Sequence, residues 1–151
     1  MKPTDDLVRE FHELPGSQQA VRNYPDIYPS ADLIRHRMRL IEEEFKEVMD
    51  ELHNLLANGM LPETSLAAQA RLLKEMCDLR YVLDGTAVSL GLPYEAAYRE
   101  VHAANMSKAW DNGELQTNER GKVMKGPNYR PPDIESLLPL VLEVDHEAFD
   151  G

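Results

Sequence analysis

The chain has 151 residues, of which 42% are hydrophobic, and it carries a formal net charge of −11 at neutral pH. That length suits one compact domain, so we predict a single domain over residues 1–151. The acidity excludes non-specific binding to nucleic acid, because phosphate backbones require a basic footprint, and it favours a divalent cation instead. Cys77 is the sole cysteine, which excludes an internal disulfide and a cysteine-rich zinc site, and we expect its thiol to be buried.

The sequence shows no targeting or membrane segment. Its longest apolar runs extend over a few residues, whereas a helix needs about 20 to cross a bilayer. The N-terminal residues include acids where a secretory signal would have an apolar stretch. We therefore predict a cytoplasmic protein without a membrane partner.

The N-terminal part predicts one short helix and then an irregular connection. The helix is expected near Asp5 to His12. Residues 13–30 follow, and their three prolines and one glycine disfavour regular structure. The sequence suggests no function for this connection.

Two long helices are predicted next. Ser30 can cap a helix over 31–58, which ends at Gly59. A second helix is expected over 65–90, capped by Thr64 or Ser65. Apolar residues at alternating steps of four and three form the stripe by which the first helix packs. They are Ile34, Met38, Ile41, Phe45, Val48, Leu52 and Leu55.

A third helix is expected from Pro93 to about Trp110, since proline suits the first turn of a helix. Short connections between long helices predict antiparallel neighbours. The predicted fold class is therefore all-α, an antiparallel helical bundle with its helical core at about 31–110. A second apolar strip through Leu33 and Leu40 predicts contact with a partner subunit, so that a homodimer or a dimer of dimers completes the bundle.

The segment after the third helix is predicted to be a loop over 111–132, because it is rich in glycine and proline. Asp133 can then cap a short helix from Ile134 to Leu142. Five of the 16 basic residues lie between positions 108 and 130, against three acids. This region is locally positive in an acidic chain.

Two pairs of carboxylates stand at i, i+3 spacing, Glu44 with Glu47 and Glu75 with Asp78. At ~100° per residue, each pair lies beside the apolar stripe of its helix. On antiparallel neighbours the four carboxylates converge, which is strongly unfavourable unless a cation or protons neutralise them. Oxygen ligands alone favour Mg²⁺ or Mn²⁺ over Zn²⁺. The alternative for each pair is an ordinary solvated face of a glutamate-rich helix.

The same residues carry a resemblance to a known family. Glu44-Phe-Lys-Glu47 followed by Glu75-Met-Cys-Asp78 resembles the ExxE and ExxD signature of the MazG-like all-α NTP pyrophosphohydrolases, which are related to dimeric dUTPases and phosphoribosyl-ATP pyrophosphohydrolases. The resemblance continues in residues 101–108 and 121–133. The nearest pattern is that of MazG-like dUTP pyrophosphatases, which have a carboxylate before the ExxE and HxxNxSK on the next helix.

The resemblance implies a metal site and a reaction. The metal ligands would be Glu44, Glu47, Glu75 and Asp78, holding Mg²⁺ with Mn²⁺ as a substitute. Glu43 would be catalytic, either orienting or deprotonating the attacking water, or it would hold a further metal. Water would attack the α-phosphorus of a nucleoside triphosphate, dUTP above all, and give the monophosphate and pyrophosphate.

Six residues are expected to bind the nucleotide: His102, Asn105, Lys108, Lys122, Lys125 and Tyr129. The three lysines can pair with phosphate oxygens as point charges, so that the triphosphate lies between metals and lysines. Tyr129 either stacks on the base or covers an edge of the core. His102 either bonds the nucleotide or is a satisfied helix residue.

Three other functions fit the same pattern. The motifs specify phosphates and metal but not the base, so the substrate can be a range of NTPs, in a broad house-cleaning role, or phosphoribosyl-ATP. A non-catalytic helical metal-binding oligomerisation module would also keep the carboxylates. Such a module would not need the asparagine and lysine residues.

Overall fold

The computed structural model describes residues 2–57 and 62–138, and in them the protein is all-α. Its four helices are α1 (Thr4–His12), α2 (Ala31–Ala57), α3 (Pro62–Leu90) and α4 (Tyr94–Met106). A 3₁₀ turn, Glu135–Leu137, follows. The predicted fold class is confirmed, and no described helix combines the length and apolar content that a membrane span requires.

The chain divides into two compact units, one up to Leu92 and one from Pro93. The first unit contains α1, α2 and α3, with α3 packed against both of the others. The second contains α4 and the loop that follows it. The single domain over 1–151 stays a prediction.

Helices α2 and α3 pack side by side and antiparallel, as predicted. Ser30 caps α2, because its Oγ accepts a hydrogen bond from the Leu33 N–H at 3.2 Å. Along α2, Arg37 bonds to Thr86, whereas Glu51 pairs with Arg71 nearer the start of α3. Partner numbers on α3 fall as numbers on α2 rise, which is the signature of an antiparallel pair.

Two predicted helix boundaries were wrong. Helix α3 begins at Pro62, so Thr64 and Ser65 lie within the helix and not at its start. Proline suits a first turn because its missing N–H needs no partner there. Helix α4 ends at Met106 and not near Trp110, since the chain turns at Ser107, whose Oγ donates to the Ala104 carbonyl at 2.7 Å. The predicted stop at Gly59 lies outside the described residues.

The short helix predicted over 134–142 is a single 3₁₀ turn, Glu135–Leu137, in its described part. Ile134, and not Asp133, occupies the N-cap position of this turn, although the Asp133 Oδ1 accepts the Ser136 N–H at 3.2 Å. Residues 139–142 lie outside the described residues.

The irregular connection over 13–30 lies along α3 and is tied to it by buried polar contacts. Arg37, the one buried residue in α2, donates to Gln19 of the connection at 3.2 Å and to the Val82 carbonyl of α3 at 2.8 Å. At Gly91, φ is +68°, and an added Cβ would lie 1.9 Å from the Tyr24 carbonyl oxygen. Only glycine allows the chain to pass so closely.

Side-chain exposure in the first unit differs from the prediction for the stripe of α2 and for Cys77. Met38, Phe45 and Leu52, assigned to the packed stripe of α2, are 53%, 56% and 39% exposed. Leu33 and Leu40, assigned to a partner contact, are half-buried. The Cys77 thiol was expected to be buried and is exposed. Because α2 packs mainly against α3, only the side of α2 that faces α3 is covered.

Candidate active site

The four predicted metal ligands come together between α2 and α3. Oxygen atoms of Glu44, Glu75 and Asp78 all lie within 4.8 Å of one another. The Glu47 carboxyl shares a hydrogen bond with that of Glu75. The antiparallel pairing of the two helices causes this convergence, because it brings the two i, i+3 pairs to the same level. We call these four residues the acidic cluster.

Electrostatic repulsion within the acidic cluster shifts the protonation of its members. Burial raises the pKa of the Glu44 carboxyl, and the charges of Glu47, Asp78 and Glu75 raise it further. The hydrogen bond to Glu75 and the charge of that residue raise the pKa of Glu47. Both shifts show that full ionisation of the acidic cluster is costly without a cation.

The acidic cluster fits a divalent cation. The Glu44 Oε2 atom is buried and has no hydrogen-bond partner among the described residues. A buried carboxylate oxygen without a partner loses the free energy of its hydration, and a cation would restore an interaction. Every donor in the cluster is a carboxylate oxygen, the ligand type that Mg²⁺, Mn²⁺ and Ca²⁺ accept.

Glu43, the predicted catalytic residue, lies one position before Glu44 but has a different environment. It is exposed, and it makes no hydrogen bond or ion pair with any residue in 2–57 or 62–138. One step along a helix rotates the side chain by ~100°, which separates Glu43 from the direction of Glu44. Its carboxylate is therefore accessible to water.

The three predicted phosphate-binding lysines line one cleft of about 370 Å³ in the second unit. We call this the lysine cleft. Its walls are formed by Lys108, Asn118, Lys122, Val123, Met124 and Lys125. Three like charges around one open cavity favour an anionic ligand.

The loop after α4 builds the lysine cleft by folding back on itself. Thr117 and Val123 form an isolated antiparallel bridge, and the Asn118 side-chain oxygen accepts the Lys122 N–H at 3.0 Å. The Gly126 N–H donates to the Lys108 carbonyl at 3.0 Å, which joins this short hairpin to the end of α4. A Cβ at Gly126 would lie 2.8 Å from that same carbonyl oxygen.

The other predicted nucleotide-binding residues also lie in the second unit. Asn105 is exposed and accepts a hydrogen bond from the Lys108 ammonium at 2.7 Å. The Lys125 ammonium lies 4.3 Å from the centre of the Tyr129 ring, a cation–π contact. His102 is exposed and has no hydrogen bond or ion pair within the described part of the chain.

A family model for phosphoribosyl-ATP pyrophosphohydrolase matches residues 8–105, which are 98 of the 151 residues. The chain belongs to the phosphoribosyl-ATP pyrophosphohydrolase family. This confirms the predicted relation to the MazG-like all-α NTP pyrophosphohydrolases. A search of curated proteins found no significant match.

Membership makes this pyrophosphohydrolase a hydrolase of phosphorus-containing anhydrides that acts on a nucleotide, in a family that depends on a divalent metal. The family match therefore favours an enzyme over the alternative of a non-catalytic module. The match begins within α1 and contains α2, α3 and the acidic cluster, whereas the loop that builds the lysine cleft lies beyond Asn105.

Two residues of the pyrophosphohydrolase's polar sites escaped the sequence analysis. Asn118 lines the lysine cleft, but nothing in the sequence indicated the hairpin that places it. Lys74 lies in the acidic cluster, with its ammonium 3.0 Å from Glu75 and 2.8 Å from Asp78. Its i, i+4 spacing to Asp78 was a readable signal, although such pairs are common on solvated helices.

Proposed function

We propose that the chain is a Mg²⁺-dependent nucleoside triphosphate pyrophosphohydrolase that converts dUTP to dUMP and pyrophosphate. The acidic cluster carries the proposal, because two helices supply four carboxylates and one buried Glu44 oxygen lacks a partner among the described residues. The ligands for the metal would be Glu44, Glu47, Glu75 and Asp78. Mn²⁺ accepts the same oxygen donors and is the proposed substitute.

The proposed reaction is a single displacement at phosphorus. When bound, Mg²⁺ supplies Lewis-acid stabilisation of charge on the phosphate oxygens. The water oxygen bonds to the α-phosphorus as the bond from that phosphorus to the bridging oxygen breaks, and the electron pair leaves with pyrophosphate. Glu43, accessible and without a partner in the described residues, accepts the proton that the water loses and passes it to solvent.

The lysine cleft is proposed to bind phosphate oxygens. Lys108, Lys122 and Lys125 surround one cavity, and each ammonium can donate to a phosphate as a point charge. The cation–π contact of Tyr129 with Lys125 supports a positioning role for this ring over stacking on a base. His102 and Asn105, both exposed on α4, remain the candidates for contact with the rest of the nucleotide.

Phosphoribosyl-ATP is the second candidate substrate, and the family match favours it. It presents the same triphosphate and would be cleaved at the same bond. The acidic cluster and the lysine cleft recognise metal and phosphate, so neither distinguishes it from dUTP or from a wider range of NTPs.

A substrate panel tests the proposal. Purified protein would be incubated with dUTP, the other dNTPs and NTPs, and phosphoribosyl-ATP, each with Mg²⁺, with Mn²⁺ or with a chelator, and the products identified by phosphorus NMR. We expect pyrophosphate and a monophosphate from dUTP, only with metal. A preference for phosphoribosyl-ATP would replace the substrate, whereas dominant inorganic phosphate would refute cleavage at the α-phosphorus.

We also propose that the protein is a homodimer or a dimer of dimers. On α2, the exposed residues Met38, Phe45 and Leu52 recur at intervals of seven and therefore share one face. On α3, Leu66 and Leu73 repeat that interval and are 76% and 62% exposed. Rows of exposed apolar side chains on long helices are typical of an interface. A cytoplasmic location is proposed from the sequence alone.

A further inference from the structure

Lys74 is the one basic side chain among the described residues that forms ion pairs with the acidic cluster. Its ammonium lies 3.0 Å from Glu75 Oε2 and 2.8 Å from Asp78 Oδ2. The carboxylates of Glu75 and Asp78 are also within 4.8 Å of that of Glu44. A single ammonium thus approaches two of the oxygen donors that the proposed cation would need.

The two carboxylates are less exposed than the lysine that joins them. The Glu75 side chain is 15% exposed, whereas that of Lys74 is 62% exposed. A lysine stem is long and flexible, and its ammonium is readily hydrated, so Lys74 can withdraw into water while Glu75 stays in place. The ion pair therefore joins a largely fixed acceptor to a donor whose long, exposed side chain has room to move away.

We infer that Lys74 is an internal counter-ion that neutralises the acidic cluster in the metal-free protein and competes with the divalent cation for Glu75 and Asp78. This inference rests on the proposed metal site. In this role Lys74 is a positioning residue, because its competition with Mg²⁺ sets the concentration of Mg²⁺ at which the metal site becomes occupied. Without metal, the ammonium offsets part of the repulsion among the carboxylates. With metal, the ammonium must move away from oxygens that the cation binds.

If Lys74 is this counter-ion, removal of its positive charge should have two opposite effects. The metal-free protein should become less stable, because the carboxylates lose their counter-ion. Mg²⁺ should bind more tightly, since it no longer displaces a competitor or meets its repulsion. A lysine that only supported the helix would weaken the fold without strengthening the binding of Mg²⁺, so the second effect separates the two roles.

The test compares Lys74→Gln with Lys74→Arg and Lys46→Gln. Lys46 is exposed, lies beside Glu47 in sequence and has no ion pair with any described residue, so its substitution removes the same charge without the contact. Isothermal titration calorimetry with Mg²⁺, in the absence of nucleotide, gives the dissociation constant of each protein. Thermal melting with and without Mg²⁺ gives the stability.

We expect Lys74→Gln to lower the Mg²⁺ dissociation constant by roughly fivefold or more, because a unit charge at this distance interacts strongly even in a polar medium. Lys46→Gln and Lys74→Arg should stay within about twofold of the wild type. A Lys74→Gln constant equal to that of Lys46→Gln, with normal binding by the wild type, overturns this role alone. Absence of saturable Mg²⁺ binding by the wild type overturns the proposed metal site and this role with it.

Discussion

Neighbouring glutamates in α2 have quite different surroundings, and the helix itself causes the difference. Glu44 places a carboxylate oxygen out of contact with water, whereas Glu43 is exposed. A rotation of ~100° per residue turns one towards α3 and the other away from that direction. The effect of replacing one carboxylate on metal binding should therefore depend more on the direction in which that carboxylate points from the helix than on its place in the sequence.

Asp78→Asn should remove most of the metal binding and lower kcat/KM by about 100-fold or more, since even supporting residues around a metal cost 10- to 100-fold. Asparagine has nearly the same volume, so helicity measured by circular dichroism should be retained. Asp50→Asn is the matched control, because Asp50 is exposed on α2 and has no ion pair in the described residues. Near-normal turnover of Asp78→Asn in saturating Mg²⁺ would remove Asp78 from the site.

Glu100 provides a pH-dependent contact in the second unit. Hydrogen bonds from Arg130 and from the Asp133 N–H lower the pKa of its carboxyl below the ordinary value of 4.5. A lowered folded-state pKa means that the contact contributes fully above the unfolded value and is lost as pH falls through the folded one. The melting temperatures of wild type and Glu100→Gln should thus differ most near pH 7, begin to approach each other as pH falls below about 4, and converge only below the lowered pKa of Glu100. A gap that stays constant with pH would contradict this, and Glu119→Gln serves as the exposed control.

The sequence predicted the four carboxylates of the acidic cluster, because helical periodicity and antiparallel packing together determine where i, i+3 pairs meet. It did not predict Lys74, since a lysine four residues before an aspartate is ordinarily a solvent pair. It also assigned Cys77 to the interior, as is usual for free cysteines. The position of Cys77 depends on which flank of α3 is covered, and that is a tertiary property.

The loop over 107–133 is held to α4 by backbone and side-chain contacts and has only one short hairpin. Ser107 Oγ accepts the Arg130 N–H at 3.0 Å, and Arg130 pairs with Glu100 at 2.6 Å. Glycines and prolines predicted the loop but not its course, because the contacts that fix it join residues more than 20 positions apart in sequence. The end of α4 differs from the prediction for a similar reason, because Ser107 contacts Arg130, a residue distant in the sequence.

Gly126→Ala should weaken anion binding at the lysine cleft, because the added Cβ would lie 2.7 Å from the Ala109 carbonyl oxygen and push the hairpin away. We expect the dissociation constant for inorganic pyrophosphate, measured by calorimetry, to rise roughly tenfold, as small displacements of binding groups are costly. Gly113→Ala is the matched control. Its φ of +80° makes alanine strained, but no atom lies within 4 Å of the added Cβ. Equal effects of both variants would assign the loss to loop strain and not to the hairpin.

At the scale of the whole molecule, the described residues bury few apolar side chains. The buried ones are mostly small: Val8, Ala68, Ala87, Val88 and Ala104. Meanwhile α2 exposes Met38, Phe45 and Leu52 along one face. Sequence periodicity identified this stripe but assigned it to packing within the chain, whereas these three side chains are exposed in the structure, because periodicity does not say which surface covers a stripe.

Phe45→Glu should convert the proposed oligomer to monomers, since a charge at the centre of an apolar face cannot be buried without a partner. Sedimentation should then give the mass of one chain, and the melting temperature should fall and lose its dependence on protein concentration. Tyr28→Ser is the control, because Tyr28 is 87% exposed but lies in the irregular connection. A wild type that sediments as a monomer at high micromolar concentration would refute the interface.

The exposed thiol of Cys77 allows a spectroscopic label to be attached beside the acidic cluster. The chain has one cysteine, so a nitroxide label would attach at a single position, directly before Asp78 in α3. Mn²⁺ is paramagnetic, and its effect on the relaxation of a nearby nitroxide decreases steeply with distance. Cation entry could therefore be followed in the unmutated protein, without nucleotide and without turnover, and the distance from ion to label would locate the ion relative to α3.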